Sequence, residues 1–123
     1  DVRRATLRGL ESARFVDKLD GFREQPPSGA PLTLSGPADR IYLAGPATLE
    51  LDDPALGRTL LLEQRGARST VVWNPWEAAA ARMADLGDEW PRFLCVESAV
   101  VGPAAITLVP GASHVLSLQL RRR

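Results

Sequence analysis

The sequence predicts an all-β fold, an antiparallel β-sandwich carrying one short helix near residues 75–85. Three observations point there. Short runs of alternating apolar residues recur along the whole chain, and Gly, Pro and Asp cut them at the spacing of antiparallel sheets. Only one window, Pro75 to Asp85, reads as helix. The longest uncharged stretch, Ser98 to Leu120, is long enough to span a bilayer in principle. It is broken by Gly102-Pro103 and Pro110-Gly111 and carries Thr107, Ser113, His114, Ser117 and Gln119, the pattern of strands joined by turns.

The predicted strands are Val2 to Arg8, Leu32 to Ser35, Arg40 to Ala44, Thr48 to Leu51, Thr59 to Gln64, Thr70 to Trp73, Phe93 to Ala99, Ala105 to Val109 and Val115 to Leu120. In the last of these, Leu116, Leu118 and Leu120 share one face and Val115, Ser117 and Gln119 the other, so the strand reads as half-buried. Asp20-Gly21 is a turn signal, and the Pro, Gly and Ser of residues 25–31 mark a loop. For the helix, Asn74 is placed to cap it, Pro75 suits its first position, and Glu77 is placed to reach back as in a capping box. Trp76, Ala80 and Met83 then share a face, and Gly87 ends the segment. No element obviously protects the outer sheet edges, and a first strand that begins at residue 2 implies a piece of something larger.

A chain of 123 residues forms about one domain and buries roughly two thirds of its unfolded surface. Fifteen basic side chains balance fifteen acidic ones and the pI is about 6.8, so no overall field gathers nucleic acid or an anionic membrane. At 45% hydrophobic and 24% charged, the composition is that of a folded soluble domain. The single cysteine, Cys95, forms no internal disulfide, and no leader-like segment opens the chain, so a cytoplasmic location is expected.

Among candidate functional residues, Glu97 stands out as the lone carboxylate in Phe93 to Val101, a run whose two alternating faces are both largely apolar. Such a strand is expected to be covered on both sides, where an unpaired carboxylate costs several kcal/mol, roughly, in desolvation. Two explanations fit: a general base in a cleft, its pKa raised by desolvation, or a structural Glu paired with one of the fourteen arginines. Asp39 opens a strand after a loop and reads either as an acceptor for a ligand hydroxyl or as a turn cap. Asp85, Asp88 and Glu89 do not fit calcium-loop spacing and read as a solvated helix end. The lone histidine, His114, and Cys95 fall short of any zinc pattern; Cys95 reads as a buried structural thiol and His114 as a surface residue. No nucleotide-binding or nucleophile-elbow motif is present. Arg3, Arg4, Arg8 and Arg121 to Arg123 could meet phosphate, but arginines in strands and tails are more often solvated and the balancing acids dilute any patch.

Several motifs in register carry a family resemblance. Ser69 to Trp76 (STVVWNPW), Met83 to Glu89 (MADLGDE) and Cys95 to Ala99 (CVESA) resemble the C-terminal half of the hexose-6-phosphate mutarotases, or glucose-6-phosphate 1-epimerases, of the aldose 1-epimerase group. Phe15 to Gly21 (FVDKLDG) and Asp39 to Tyr42 (DRIY) resemble two further segments in the same order. The resemblance implies a galactose-mutarotase-like supersandwich of which residues 1–123 are the C-terminal part, the N-terminal part being absent. It implies a small-molecule sugar phosphate as substrate, anomers exchanged by acid/base ring opening, and no cofactor, metal or nucleotide. The family's general base maps onto Glu97 and a sugar-binding Asp onto Asp39. The family's acid His and phosphate-binding arginines belong to upstream segments with no counterpart here, and His114 matches no catalytic position. An isolated chain of this kind is expected to be nearly inactive, and to self-associate or take up a complementary N-terminal chain. The alternative is a non-catalytic β-sandwich module that binds sugar or protein.

Overall fold

The computed structural model describes residues 1–43 and 45–123. Nine antiparallel strands form two sheets: β1 (Thr6–Arg8), β2 (Phe15–Asp17), β3 (Arg23–Gln25), β4 (Ala38–Leu43), β5 (Thr48–Asp53), β6 (Arg58–Arg65), β7 (Ser69–Asn74), β8 (Cys95–Ala99) and β9 (Ser117–Arg122). One sheet has the order β1-β5-β6-β9 and the other β3-β2-β4-β7-β8. The fold class is therefore the expected all-β sandwich. No helix among the described residues is long and apolar enough to cross a membrane.

The inner faces follow from strand alternation. In the second sheet Phe15 pairs with Tyr42, and the same parity carries Val72 and Val96 toward the facing sheet. In the first, Leu7 pairs with Leu51 and Leu49 with Leu62. Leu7, Leu49, Leu62, Phe15, Tyr42 and Val72 meet in one buried cluster, with Leu51, Leu60, Leu94 and Val96 against it. Each such side chain, fully buried, contributes about 1.5–3 kcal/mol. Through this apolar layer runs one polar thread. Gln64 Nε2 donates to Thr70 Oγ1 (3.0 Å) and to the Pro46 carbonyl (3.0 Å), while Ser98 Oγ donates to Gln64 Oε1 (2.9 Å). Gln64 and Thr70 are buried and thereby satisfied, and the thread ties β6 to β7 and to the edge strand β8.

Several expectations need correction. The helix α1 spans only Trp76–Ala80, because beyond it the chain tightens into shorter-range bonds, Arg82 N–H to Ala79 O (3.1 Å) and Met83 N–H to Ala80 O (2.9 Å), before a 3-10 segment over Gly87–Arg92. Glu77 makes no capping contact; Asn74 is the residue that holds the turn. Ala105 to Val109 forms no strand, Leu32 to Ser35 contributes a single bridge from Leu32 to Leu7, and the first strand starts at Thr6. The strand predicted over Arg40 to Ala44 begins at Ala38, and its final residue lies outside the described residues. The short strands β2 and β3 were not anticipated. β9 is exposed along its whole length rather than half-buried: Leu118 and Leu120 have the inward parity of Gln64 and Leu62, yet nothing among the described residues covers them.

β9 thus presents an open, apolar edge of the kind that pairs with other strands. Sedimentation of the 123-residue chain should show concentration-dependent species heavier than a monomer, and Leu118→Lys with Leu120→Lys should shift them toward monomer. A monomer at every concentration contradicts this.

Candidate functional site

The faces of β4, β7 and β8 that point away from the core carry the polar chemistry. Register places Asp39 opposite Trp73, Ile41 opposite Val71, and Val71 opposite Glu97. Asp39 and Glu97 therefore stand on the same side of the sheet, separated by one intervening strand and two residues along it. Strand geometry puts their Cα atoms about 12 Å apart. Between them lies an open cleft of ≈ 430 Å³ lined by Lys18, Asp39, Ile41, Val71, Trp73, Glu97 and Val101. That volume falls within the range typical of small-molecule sites, ~300–1,000 Å³. A slightly larger hollow, ≈ 470 Å³, lies on the other sheet beside β9. Its carboxylate, Glu63, is already taken by Arg121 at 3.0 Å, so it offers weaker chemistry.

Asp39 sits inside β4 rather than in a turn, which removes the capping explanation. Its partner is Lys18, next after β2 in the position opposite Asp39. The Lys18 N–H donates to the Asp39 carbonyl (2.9 Å), and Lys18 Nζ lies 2.7 Å from Asp39 Oδ1. Oδ1 is buried, and the ammonium approaches it at ion-pair distance but off the hydrogen-bonding direction; it has no other partner among the described residues.

Glu97 departs from expectation. It is exposed, because nothing among the described residues covers this part of the outer face, so the desolvation argued from its apolar neighbours does not arise. It forms no ion pair with a guanidinium among the described residues, and it faces the cleft. Cys95, two residues before it on the same face, is half-buried rather than buried, and burial, then the negative charge of Glu97, push its thiol pKa up. His114 is remote from the cleft, exposed, its Nε2 2.7 Å from the Gly66 carbonyl. Asp85, Asp88 and Glu89 are exposed, and Glu89 pairs with Arg92.

One wall of the site rests on Asn74, which is fully buried at the end of β7. Its Oδ1 accepts the Trp76 N–H (2.9 Å) and its Nδ2 donates to the carbonyls of Trp90 (2.9 Å) and Phe93 (2.8 Å). These bonds hold Trp76 at φ +61°, a left-handed conformation costing about 1–3 kcal/mol in a non-glycine residue, with its ring 4.6 Å from that of Trp90. Trp76 thereby walls an apolar hollow of ≈ 310 Å³ that shares Asp39 and Trp73 with the cleft. Sequence reasoning singled out Asp39 and Glu97 but missed Lys18 and Trp73 as their companions. Counting parity outward from Glu97 finds Trp73 once the register is known; Lys18 needs β2, which has only three residues.

The fold is thus a two-sheet antiparallel sandwich in which two carboxylates, Asp39 and Glu97, line one open cleft on an outer face. The chain matches the aldose 1-epimerase family over residues 7–121, and it belongs to that family. It is 34% identical over 112 residues to a Cenchrus ciliaris protein named "putative glucose-6-phosphate 1-epimerase", which covers 90% of this chain and 34% of that protein. An Escherichia coli protein of the same name is 30% identical over 80% of the chain and 34% of its own length. The crystal structure of a "putative mutarotase", YeaD of Salmonella typhimurium, superposes with a TM-score of 0.73 at 30% identity, over 80% of this chain and 33% of that one. The chain spans about a third of the length of the curated relatives it matches.

Replacing Asn74 with Ala strands one N–H and two carbonyls, at about 1–3 kcal/mol for each buried group left unpaired. Urea denaturation of Asn74→Ala should show a loss of at least the lower figure, together with altered Trp fluorescence. An unchanged midpoint contradicts the role given to Asn74.

Proposed function

We propose that this chain carries the general base and a sugar-binding carboxylate of a hexose-6-phosphate mutarotase. The observation that carries the reading is the placement of Asp39 and Glu97 in one cleft, in a chain of the aldose 1-epimerase family. Glu97 takes the proton of the C1 hydroxyl as the C1–O5 bond breaks, and an acid delivers a proton to O5, giving the open-chain aldehyde. Rotation about C1–C2 presents the other face of the carbonyl, and the reverse transfers close the ring as the other anomer. Asp39 accepts a hydroxyl of the sugar, and Trp73 gives the ring an apolar floor. His114, the single histidine of the chain, lies away from the cleft against the Gly66 carbonyl, which supports an acid for O5 that comes from outside this chain. The exposure of Glu97 favours, as the second reading, a sugar-binding module without turnover.

Anomer exchange of glucose 6-phosphate, followed by NMR exchange spectroscopy, tests the reading. In a non-catalytic buffer the chain should stay near the spontaneous rate, since a missing proton donor forfeits roughly 100- to 10,000-fold. With imidazolium supplied as an external acid, the chain should exceed the buffer-only rate, and Glu97→Gln should return it to that rate while sugar still binds. Equal rates for the chain and Glu97→Gln contradict the base role; binding with no exchange under any condition selects the module.

A further inference from the structure

The chain contains fourteen arginines and one lysine, and that lysine is the cation placed in the cleft. Elsewhere the ion pairs use arginine: Arg8 with Asp52, Arg14 with Glu24, Arg40 with Asp17, Arg58 with Asp53. The difference has chemical content. A guanidinium presents a planar fork that takes both oxygens of a carboxylate, whereas an ammonium is a point charge that engages one. Lys18 Nζ engages Asp39 Oδ1 at 2.7 Å, and the side chains remain 34% and 20% exposed. Asp39 Oδ1 is buried and receives no hydrogen bond from the described residues, none reaches Oδ2 either, and the Lys18 ammonium, paired with Oδ1 by charge alone, keeps its donors unused. Side by side on the cleft wall stand a free charged acceptor and free charged donors, held in register by the Lys18 N–H bond to the Asp39 carbonyl.

We propose that Lys18 and Asp39 together grip a vicinal diol of the sugar ring, Asp39 Oδ2 accepting from one hydroxyl while Lys18 Nζ donates to its neighbour. The inference rests on the sugar-site reading of the cleft and adds a specificity-determining residue to it. Ligands with two adjacent ring hydroxyls are gripped; those lacking either are not. Hydrogen bonds to charged groups make each half of the grip worth about tenfold or more in affinity.

Because Lys18 is the lone lysine, its side-chain ¹⁵Nζ resonance is assigned without further labelling. In the 123-residue chain, glucose and glucose 6-phosphate should both shift this resonance and the Trp73 indole signal, and inorganic phosphate should shift neither. Among glucoses deoxygenated at C2, C3 or C4, affinity should fall at two adjacent positions and not at the third. Lys18→Arg gives the discriminating result: it preserves the ion pair and the melting temperature, yet should weaken sugar binding at least tenfold, as the fork occupies both Asp39 oxygens. Lys18→Met should weaken it similarly. The clamp is overturned if Lys18→Arg binds sugar as well as the parent chain, if phosphate alone reproduces the shifts, or if no sugar moves the Lys18 resonance. Anomer exchange with Lys18 indifferent removes the clamp alone, whereas Lys18 shifts without exchange remove only the epimerase reading.

Discussion

The site depends on strand parity. In β4, β7 and β8 successive side chains alternate between two environments, and one register decides which environment each enters. Tyr42, Val72 and Val96 go inward to the core, which forces Asp39, Trp73 and Glu97 outward onto a common face. A slip of one residue in β4 or β8 would turn a carboxylate inward, and one in β7 would exchange Trp73 with Val72. Burial of Val72 at 0% exposure and Tyr42 at 2% therefore fixes the functional face as firmly as it fixes the fold. The core is what aims the carboxylates.

Two devices keep that register where hydrogen bonding is thinnest. β8 is an edge strand paired, among the described residues, with β7 alone, and the Ser98–Gln64–Thr70 thread anchors it from beneath to the other sheet. At the end of β7, Asn74 ties the strand to the Trp76 turn and to the Trp90 and Phe93 carbonyls, so the aromatic wall and the strand end move as one piece. Both devices are buried polar groups with all partners supplied, where satisfied hydrogen bonds specify geometry and the loss of one partner is costly. Beside them the cleft itself is open, and Glu97 stands in solvent.

The sandwich, the turn at Asp20-Gly21 and most long strands were legible in the sequence because each carries its own period-two pattern bounded by Gly, Pro or Asp. β2 and β3 were not, since three residues are too few to show a period and their stability comes from pairing with β4 and with each other. The helix was overextended because its caps and apolar spacing look continuous, while after Ala80 the chain tightens into shorter-range bonds from Arg82 to Ala79 and from Met83 to Ala80. Asp39 and Glu97 were legible as charges in unexpected company. Their shared cleft was not, because it exists only once register is set across three strands. The apolar neighbours of Glu97 suggested burial, but local composition reports which side chains a strand carries, not whether anything lies over them.

The most direct measurement is a crystal structure of the chain soaked with glucose 6-phosphate. The account predicts one sugar ring lying over Val71 and Trp73, its C1 hydroxyl toward Glu97 and another hydroxyl on Asp39. A sugar seated in the hollow beside β9, or one bound on the outer face with Glu97 out of reach of its anomeric oxygen, would contradict it.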